Sequence, residues 1–271
     1  MPSRPIFLLT DFGADGFYVG VMKAVIAAGS PASRIADLDH EIPAHDIATA
    51  SFVLARSFEY LPDDAVVVVV IDPGVGSPRR GLIMSIGNRV LVGPDNGFAS
   101  DLMLGGATGE AVAIDDAAAR RTIGIDARGA TFHGRDVFGP IASAIARGAS
   151  ASEFGTQGGG IVMCADVPSV SIDGGRVRGT GRYVDRFGNI LTDIPLAVLE
   201  RVFGASDRVR VSVAGRNLGP LRRTYADGPA GELIALINSW HLVEAAANSA
   251  RAIDRFPDRG PREIPFVIDA A

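Results

Sequence analysis

Residues 66–70 are five consecutive valines, extended by Ala65 and Ile71 and bounded by Pro62-Asp63-Asp64 and Asp72-Pro73-Gly74. β-branched side chains favour a pleated backbone, and the flanking Pro, Asp and Gly residues stop it. A strand that is apolar at every position has no face to offer to water, so both of its faces must be covered. The neighbouring segments supply that cover. Residues 6–10 form a second buried-type strand, ended by Asp11-Phe12-Gly13. Residues 18–28 carry Val19, Met22, Val25 and Ile26 at helical spacing. Residues 35–38 read as a strand, and residues 46–60 as a helix with Asp46 at its N-cap. Residues 82–86 and 90–92 flank Gly87-Asn88 as a hairpin, and 137–147 read as a further helix. This βαβαβ alternation predicts an α/β domain with a mostly parallel, helix-covered sheet.

The second half has a different rhythm. Gly-rich stretches at 155–160 and 174–181 are followed by short β-type segments at 181–184, 208–213, 233–237 and 242–246, separated by turn residues. From about residue 170 the pattern predicts a small, largely antiparallel β domain.

Composition narrows the function classes. The chain has 271 residues, 47% hydrophobic and 21% charged, enough for a proper core and too apolar for disorder. No apolar run reaches the length of about 20 residues that a membrane span needs, and the amino terminus is not of signal-peptide type. One cysteine, Cys164, excludes an internal disulfide framework and a cysteine-rich zinc site. The net charge of −5, with Lys23 as the only lysine and no basic block, argues against nucleic acid or an anionic membrane as partner. The expectation is a soluble, cytoplasmic protein that handles a small molecule.

Chemistry concentrates at strand ends. Asp72 follows the valine strand and opens the loop Pro73-Gly74-Val75-Gly76-Ser77-Pro78-Arg79-Arg80. Ligands of open α/β sheets collect at the carboxyl ends of strands; the bland alternative is an Asp-Pro-Gly turn that merely ends one. Asp11 repeats the arrangement and could equally be an Asx turn or N-cap. Thr131-Phe132-His133-Gly134-Arg135-Asp136 places an imidazole in a loop before a predicted helix, where it can share a proton near neutral pH. Pro94-Asp95-Asn96-Gly97 reads as a turn. In the second half, Asp185-Arg186-Phe187-Gly188-Asn189 offers a carboxylate, an aromatic face and an amide, a set suited to a purine nucleoside, or else a β-turn with an exposed Phe. Asn238-Ser239-Trp240-His241 reads as a hairpin turn holding the only tryptophan. His40, His45 and His133 with Asp11, Asp72 and Asp95 are conceivable metal ligands, but no His-Glu-x-x-His is present. Neither a Gly-x-Ser-x-Gly elbow nor a P-loop occurs.

Taken in order, Thr10-Asp11-Phe12-Gly13, Tyr18-Val19-Gly20 with Met22-Lys23, Asp72-Pro73-Gly74-Val75-Gly76 with Arg79-Arg80, Pro94-Asp95-Asn96-Gly97, Thr131 to Asp136, Asp185 with Phe187-Gly188-Asn189, and Asn238-Ser239 resemble the S-adenosyl-L-methionine (SAM) hydroxide adenosyltransferases, relatives of the enzymes that use fluoride or chloride on the same substrate. The resemblance spans nearly the whole chain. It implies a Rossmann-like α/β domain over residues 1–168 and a carboxy-terminal β-barrel over 169–271. It further implies a homotrimer with sites between subunits, and hydrolysis of SAM to adenosine and L-methionine without metal or other cofactor. The implied catalytic set is Asp72, Arg79 and His133. The implied substrate-binding residues are Asp11 at the ribose hydroxyls, with Phe132, Asp185, Phe187, Asn189, Ser239 and Glu244. The halogenating relatives carry tyrosine at the position of Asp72 and an insertion before the Pro-x-Asn-Gly segment, whereas residues 82–93 are compact here; a carboxylate there repels halide and can accept a proton from water. The rival readings are a non-catalytic nucleoside or SAM sensor, and a metal-dependent hydrolase.

Overall fold

The structure, a computed structural model, describes residues 3–115, 117, 129–205 and 208–271. The chain divides into two compact units, Met1–Val167 and Pro168–Ala271.

In the first unit, strands β1 (Ile6–Thr10), β2 (Ile35–Asp39), β3 (Val66–Val70), β4 (Gly81–Ile86), β5 (Arg89–Pro94), β6 (Glu110–Ile114) and β7 (Gly155–Gln157) form one sheet in the order β2-β1-β3-β5-β4-β6-β7. The β2-β1-β3-β5 block is parallel, and the β4–β5 hairpin begins an antiparallel extension through β6 and β7. All five valines of β3 are buried. Alternation sends them to opposite faces. Val66, Val68 and Val70 pack in one core with Met22 and Ile26 of α1 (Phe17–Gly29) and Ile141, Ala142 and Ile145 of α4 (Gly139–Ala146). Val67 and Val69 pack in a second core with Ala50 and Leu54 of α2 (Ile47–Phe58) and Leu102 of α3 (Ser100–Leu104). Asp46 caps α2, accepting from the Thr49 backbone N–H at 3.0 Å and from its hydroxyl at 2.8 Å. Such a cap is worth about 1 kcal/mol. The two-residue turn Gly87-Asn88 joins β4 to β5, with Gly87 at φ 58°. The helix read over 137–147 is preceded by a π-helical turn, Gly134–Phe138, so the helical segment starts directly after His133.

The connections β1-α1-β2 and β2-α2-β3 run in opposite directions from β1. The strand order therefore reverses between β1 and β3, which are adjacent and paired Thr10 to Val70 at their ends. Such a reversal opens a crevice at the carboxyl ends of the two strands.

The second unit is antiparallel. Its strands are β8 (Ser171–Asp173), β9 (Arg176–Val184), β10 (Ile190–Pro195), β11 (Val209–Val213), β12 (Arg216–Gly219), β13 (Leu233–Ile237), β14 (Leu242–Ala247) and β15 (Pro265–Ala270). They follow the order β12-β11-β15-β9-β10-β14-β13, with β8 on β9. The end strands β12 and β13 adjoin, and the Arg222 N–H donates to the Ala235 carbonyl at 2.7 Å, so the sheet closes nearly into a barrel. Inward residues Val177, Ile190, Val211, Val243, Phe266 and Ile268 fill it, with α5 (Leu196–Phe203) adding Leu199. Strand β9 begins at Arg176, five residues before the sequence reading places it. Gly179 and Gly181 belong to the strand because there is no room for a side chain: a Cβ on Gly181 would lie 2.6 Å from the Pro261 carbonyl oxygen.

Gly97 and Gly87 make a test of what glycine does in the first unit. Both have positive φ, but a Cβ on Gly97 would sit 2.4 Å from the backbone nitrogen of Cys164, while nothing lies within 4 Å of one on Gly87. Gly97→Ala is expected to cost about 2–4 kcal/mol from strain plus overpacking, and Gly87→Ala about 1 kcal/mol from strain alone. Urea unfolding followed by circular dichroism measures both; equal costs would show that the Cys164 contact does not constrain the fold.

Candidate active site

Three adjacent parallel strands each lead into a carboxylate: β1 into Asp11, β3 through Ile71 into Asp72, and β5 into Asp95. Asp95 is structural. It pairs with Arg80 at 2.5 Å and accepts the Val162 N–H at 2.8 Å, while Asn96 donates to the Ile71 carbonyl at 2.8 Å. The Pro94–Gly97 turn thus ties the ends of β3 and β5 to the segment around residue 162.

Asp11 and Asp72 face a cavity of about 250 Å³ at the strand-order reversal, lined also by Phe12, His45, Val75, Phe132 and His133. The loop after Asp72 folds back on itself. The Val75 N–H donates to the Asp72 carbonyl at 3.1 Å, and both the N–H and hydroxyl of Ser77 donate to the Gly74 carbonyl at 3.0 and 2.6 Å. This reversal lays the Arg79 side chain across Gly74, where a Cβ would lie 3.2 Å from Arg79 Cγ.

Arg79 then joins the cluster. Its Nε donates to Asp72 Oδ1 at 2.8 Å and its Nη2 to Asp72 Oδ2. The same Nη2 meets His133 Nδ1 at 2.7 Å, and the guanidinium lies 5.4 Å from the centroid of the Phe138 ring. The Asp72 and Arg79 side chains are 6% and 12% exposed, and His133 is buried. A guanidinium only donates, so His133 Nδ1 must be the acceptor. The neutral imidazole bonded this way carries its proton on Nε2. Shielded from water, the Arg79–Asp72 pair has bidentate geometry, which fixes both groups more firmly than a single contact would.

The Asp11 side chain, 9% exposed, accepts the His45 N–H at 2.8 Å, and His45 Nδ1 lies 4.0 Å away. Phe132 packs edge-on against Phe12 and Tyr18 at 5.7 and 5.3 Å, with the Arg135 guanidinium 5.2 Å from its centroid. The structure therefore gathers Asp11, Asp72, Phe132 and His133 on one cavity, with Arg79 locked to two of them. Phe12 and Val75 are lining residues that the sequence reading did not assign to binding, and His45, weighed there only as a conceivable metal ligand, lines the cavity as well. His45 carried one usable signal, its place before the Asp46 cap of α2, where it adopts φ 67°.

The second unit has its own cavity, about 750 Å³, lined by Asp185, Phe187, Asn189, Tyr225, Trp240 and Arg251 among others. Asp185 and Asn189 close the β9–β10 turn. Asp185 accepts the Asn189 N–H and side-chain amide, both at 2.9 Å. Gly188, at φ 84°, abuts Arg251, and Phe187 is pushed out to 75% exposure. The segment is a turn with an exposed Phe, and it lines a cavity. Ser239 is exposed in the β13–β14 turn and outside the cavity lining, as is Glu244, which is buried in β14. Tyr225 escaped the sequence reading; the capping box of Thr224 and Asp227 marks an ordered turn there without marking a ligand.

Among the described residues no group of three or more His, Cys, Asp or Glu side chains is arranged to hold a metal ion. No described helix is long and apolar enough to cross a membrane.

Comparison with known proteins agrees with this geometry. Residues 6–155 match the family model of the SAM hydroxide adenosyltransferase N-terminal domain, and residues 179–258 that of its C-terminal domain. The chain is similar to a protein of Thermus thermophilus named (R)-S-adenosyl-L-methionine hydrolase, 36% identical over 92% of this chain and 94% of that one. A protein of the same name from Salinispora arenicola is 38% identical over 94% of each. Among solved structures, an uncharacterized conserved protein from Thermotoga maritima superposes with a TM-score of 0.87 and 29% identity, covering 97% of this chain and 99% of that one. With both halves matched in sequence, and a carboxylate, guanidinium and imidazole joined at the strand-order reversal, the chain belongs to the SAM hydroxide adenosyltransferase family.

Proposed function

We propose that this protein hydrolyses SAM to adenosine and L-methionine through attack of water on C5′ of the ribose. The observation that carries the reading is the Asp72–Arg79–His133 cluster on the first cavity, in a chain of this family. In the step, the water oxygen forms a bond to C5′ while the C5′–S bond breaks and its electron pair returns to sulfur. The sulfonium becomes the neutral thioether of methionine, and one proton leaves the water. Because the leaving group departs uncharged, neither a general acid nor a Lewis acid is required of the enzyme. Its work is to hold one water in line with the breaking bond.

The cluster is built for that work. Arg79 occupies one lone pair on each Asp72 oxygen and leaves others to accept from water. Asp72 orients the water and takes its proton as the C–O bond forms, and an oxonium is so strong an acid that a carboxylate suffices as acceptor. His133, held through Nδ1 by Arg79, borders the water on the cavity and orients it together with Asp72. Asp72 can accept a proton, which water has to give and a halide does not, so the cluster suits water as the nucleophile. Asp11 accepts from the ribose hydroxyls, and Phe132 borders them.

The hydrolase relatives are named for the (R) sulfonium epimer, and this chain takes the same epimer in preference. The most direct test is incubation of chelator-treated protein with each SAM epimer, followed by chromatography. Adenosine and methionine should form in excess chelator, at least about tenfold faster from the (R) epimer, a gap of about 1.4 kcal/mol in transition-state binding. Loss of activity under chelator with recovery on one divalent metal would favour a metal-dependent hydrolase. Tight binding with no product would favour the sensor.

The first cavity has the nucleophile cluster, and the second has the amide, carboxylate and aromatic rings suited to a purine nucleoside. We infer a homotrimer in which the first cavity of one chain meets the second cavity of a neighbour, Asp185, Phe187 and Asn189 completing the pocket. We infer a cytoplasmic enzyme from the proposed substrate. Asp72→Ala should lower turnover by about 100-fold or more, the scale of lost acid–base chemistry, and His133→Ala by about as much through loss of the geometry that holds Arg79 and the water. Co-expressing Asp72→Ala with Asn189→Ala chains should restore part of the activity, since mixed trimers contain some intact sites. Verified mixed oligomers with no recovered turnover would mean that each chain completes its own pocket.

A further inference from the structure

The second cavity owes part of its shape to a carboxylate that does not line it. Glu244 is 2% exposed in the middle of β14. Its Oε1 accepts from the Tyr225 hydroxyl at 2.8 Å and its Oε2 from the Asn238 side-chain amide at 3.1 Å. Asn238 cannot turn its amide around, because its Oδ1 already accepts the backbone N–H groups of Trp240 at 3.0 Å and Leu242 at 3.1 Å. One buried side chain thus ties the turn that carries Tyr225 to the turn that carries Trp240. Those two rings are cavity walls, 46% and 40% exposed.

A buried carboxylate in an apolar strand needs compensation. Burial pushes the Glu244 carboxyl above its usual range, and the nearby Asp185 charge adds to this; the bonds from Tyr225 and Asn238 act the other way. Burial, together with the bond to Glu244, also pushes the Tyr225 phenol up, so it stays protonated as a donor. The arrangement holds two aromatic rings in place before any ligand arrives, which removes the ordering cost from binding.

We infer that Glu244 is a positioning residue for nucleoside recognition, fixing Tyr225 and the Trp240 turn as one rigid wall against which a planar purine base is held. This rests on the reading of the protein as a SAM hydrolase and reassigns Glu244 from ligand contact to support. Glutamine can keep both links, its carbonyl accepting from Asn238 and its amide donating to the Tyr225 oxygen. Alanine loses both. Tyr225→Phe loses one link and keeps the ring, at a half-exposed position where folding is not in question.

Trp240 is the only tryptophan, so its fluorescence reports adenosine entering this cavity. Adenosine titrations and SAM kinetics are run on the wild type, Tyr225→Phe, Glu244→Ala, Glu244→Gln and the Tyr225→Phe/Glu244→Ala double variant. Tyr225→Phe and Glu244→Ala should raise both the adenosine Kd and the SAM KM about tenfold with kcat within about threefold, the scale of a lost hydrogen bond to a charged group. Glu244→Gln should stay within about threefold of wild type. The double variant should be no weaker than Glu244→Ala, since both changes cut the same link. Unchanged Kd and KM in Tyr225→Phe and Glu244→Ala would overturn the inference, as would a fall in kcat at constant KM, or a Glu244→Gln as weak as Glu244→Ala. If the wild type binds adenosine and the variants rank as expected but no SAM is hydrolysed, the positioning role stands and the proposed reaction fails. A wild type that binds no adenosine would sink the positioning role together with the pocket.

Discussion

The fold of the first unit and the place of its chemistry both follow from the burial of β3 on two faces. Five valines with no polar side force helices onto each face of the sheet, α1 and α4 on one and α2 and α3 on the other. A chain that must deliver helices to both faces reverses its direction of travel across the sheet, and here it does so between β1 and β3. The carboxylates that end those two strands, Asp11 and Asp72, are thereby brought to one crevice. The most apolar segment of the sequence is what places its most important charge.

At that crevice Arg79 is bonded to both Asp72 and His133. The glycine-containing loop after Asp72 exists to bring it back. The guanidinium balances the Asp72 carboxylate in a shielded place, and by donating to His133 Nδ1 it fixes the tautomer of the ring. In the proposed reaction the cluster holds the attacking water in a fixed position.

Much of this was legible in the sequence. The valine strand, the Asp46 cap, the Gly87-Asn88 hairpin and the carboxylates at strand ends all rest on local rules that tertiary packing did not override. What escaped depends on distant partners. Gly179 and Gly181 look like turn residues but lie inside β9, because Asp193, Ile194 and Pro261 leave no room for side chains. The short, alanine-bearing β6 and the three-residue β7 carry little periodicity, and β15 opens with Pro265. The joining of Asp72, Arg79 and His133 cannot be read from spacing, since 54 residues separate Arg79 from His133; only the family resemblance brought them together. Glu244 did carry a signal, a lone carboxylate inside an otherwise apolar strand, which is rarely left there without a partner.

The account stands or falls on which bond of the sulfonium breaks and which oxygen replaces it. A single turnover of SAM in ¹⁸O-labelled water, with both products analysed by mass spectrometry, decides this directly. Attack of a cluster-bound water on C5′ places one ¹⁸O in adenosine, at O5′, and none in methionine. Unlabelled adenosine, or the appearance of 5′-methylthioadenosine in its place, would contradict it.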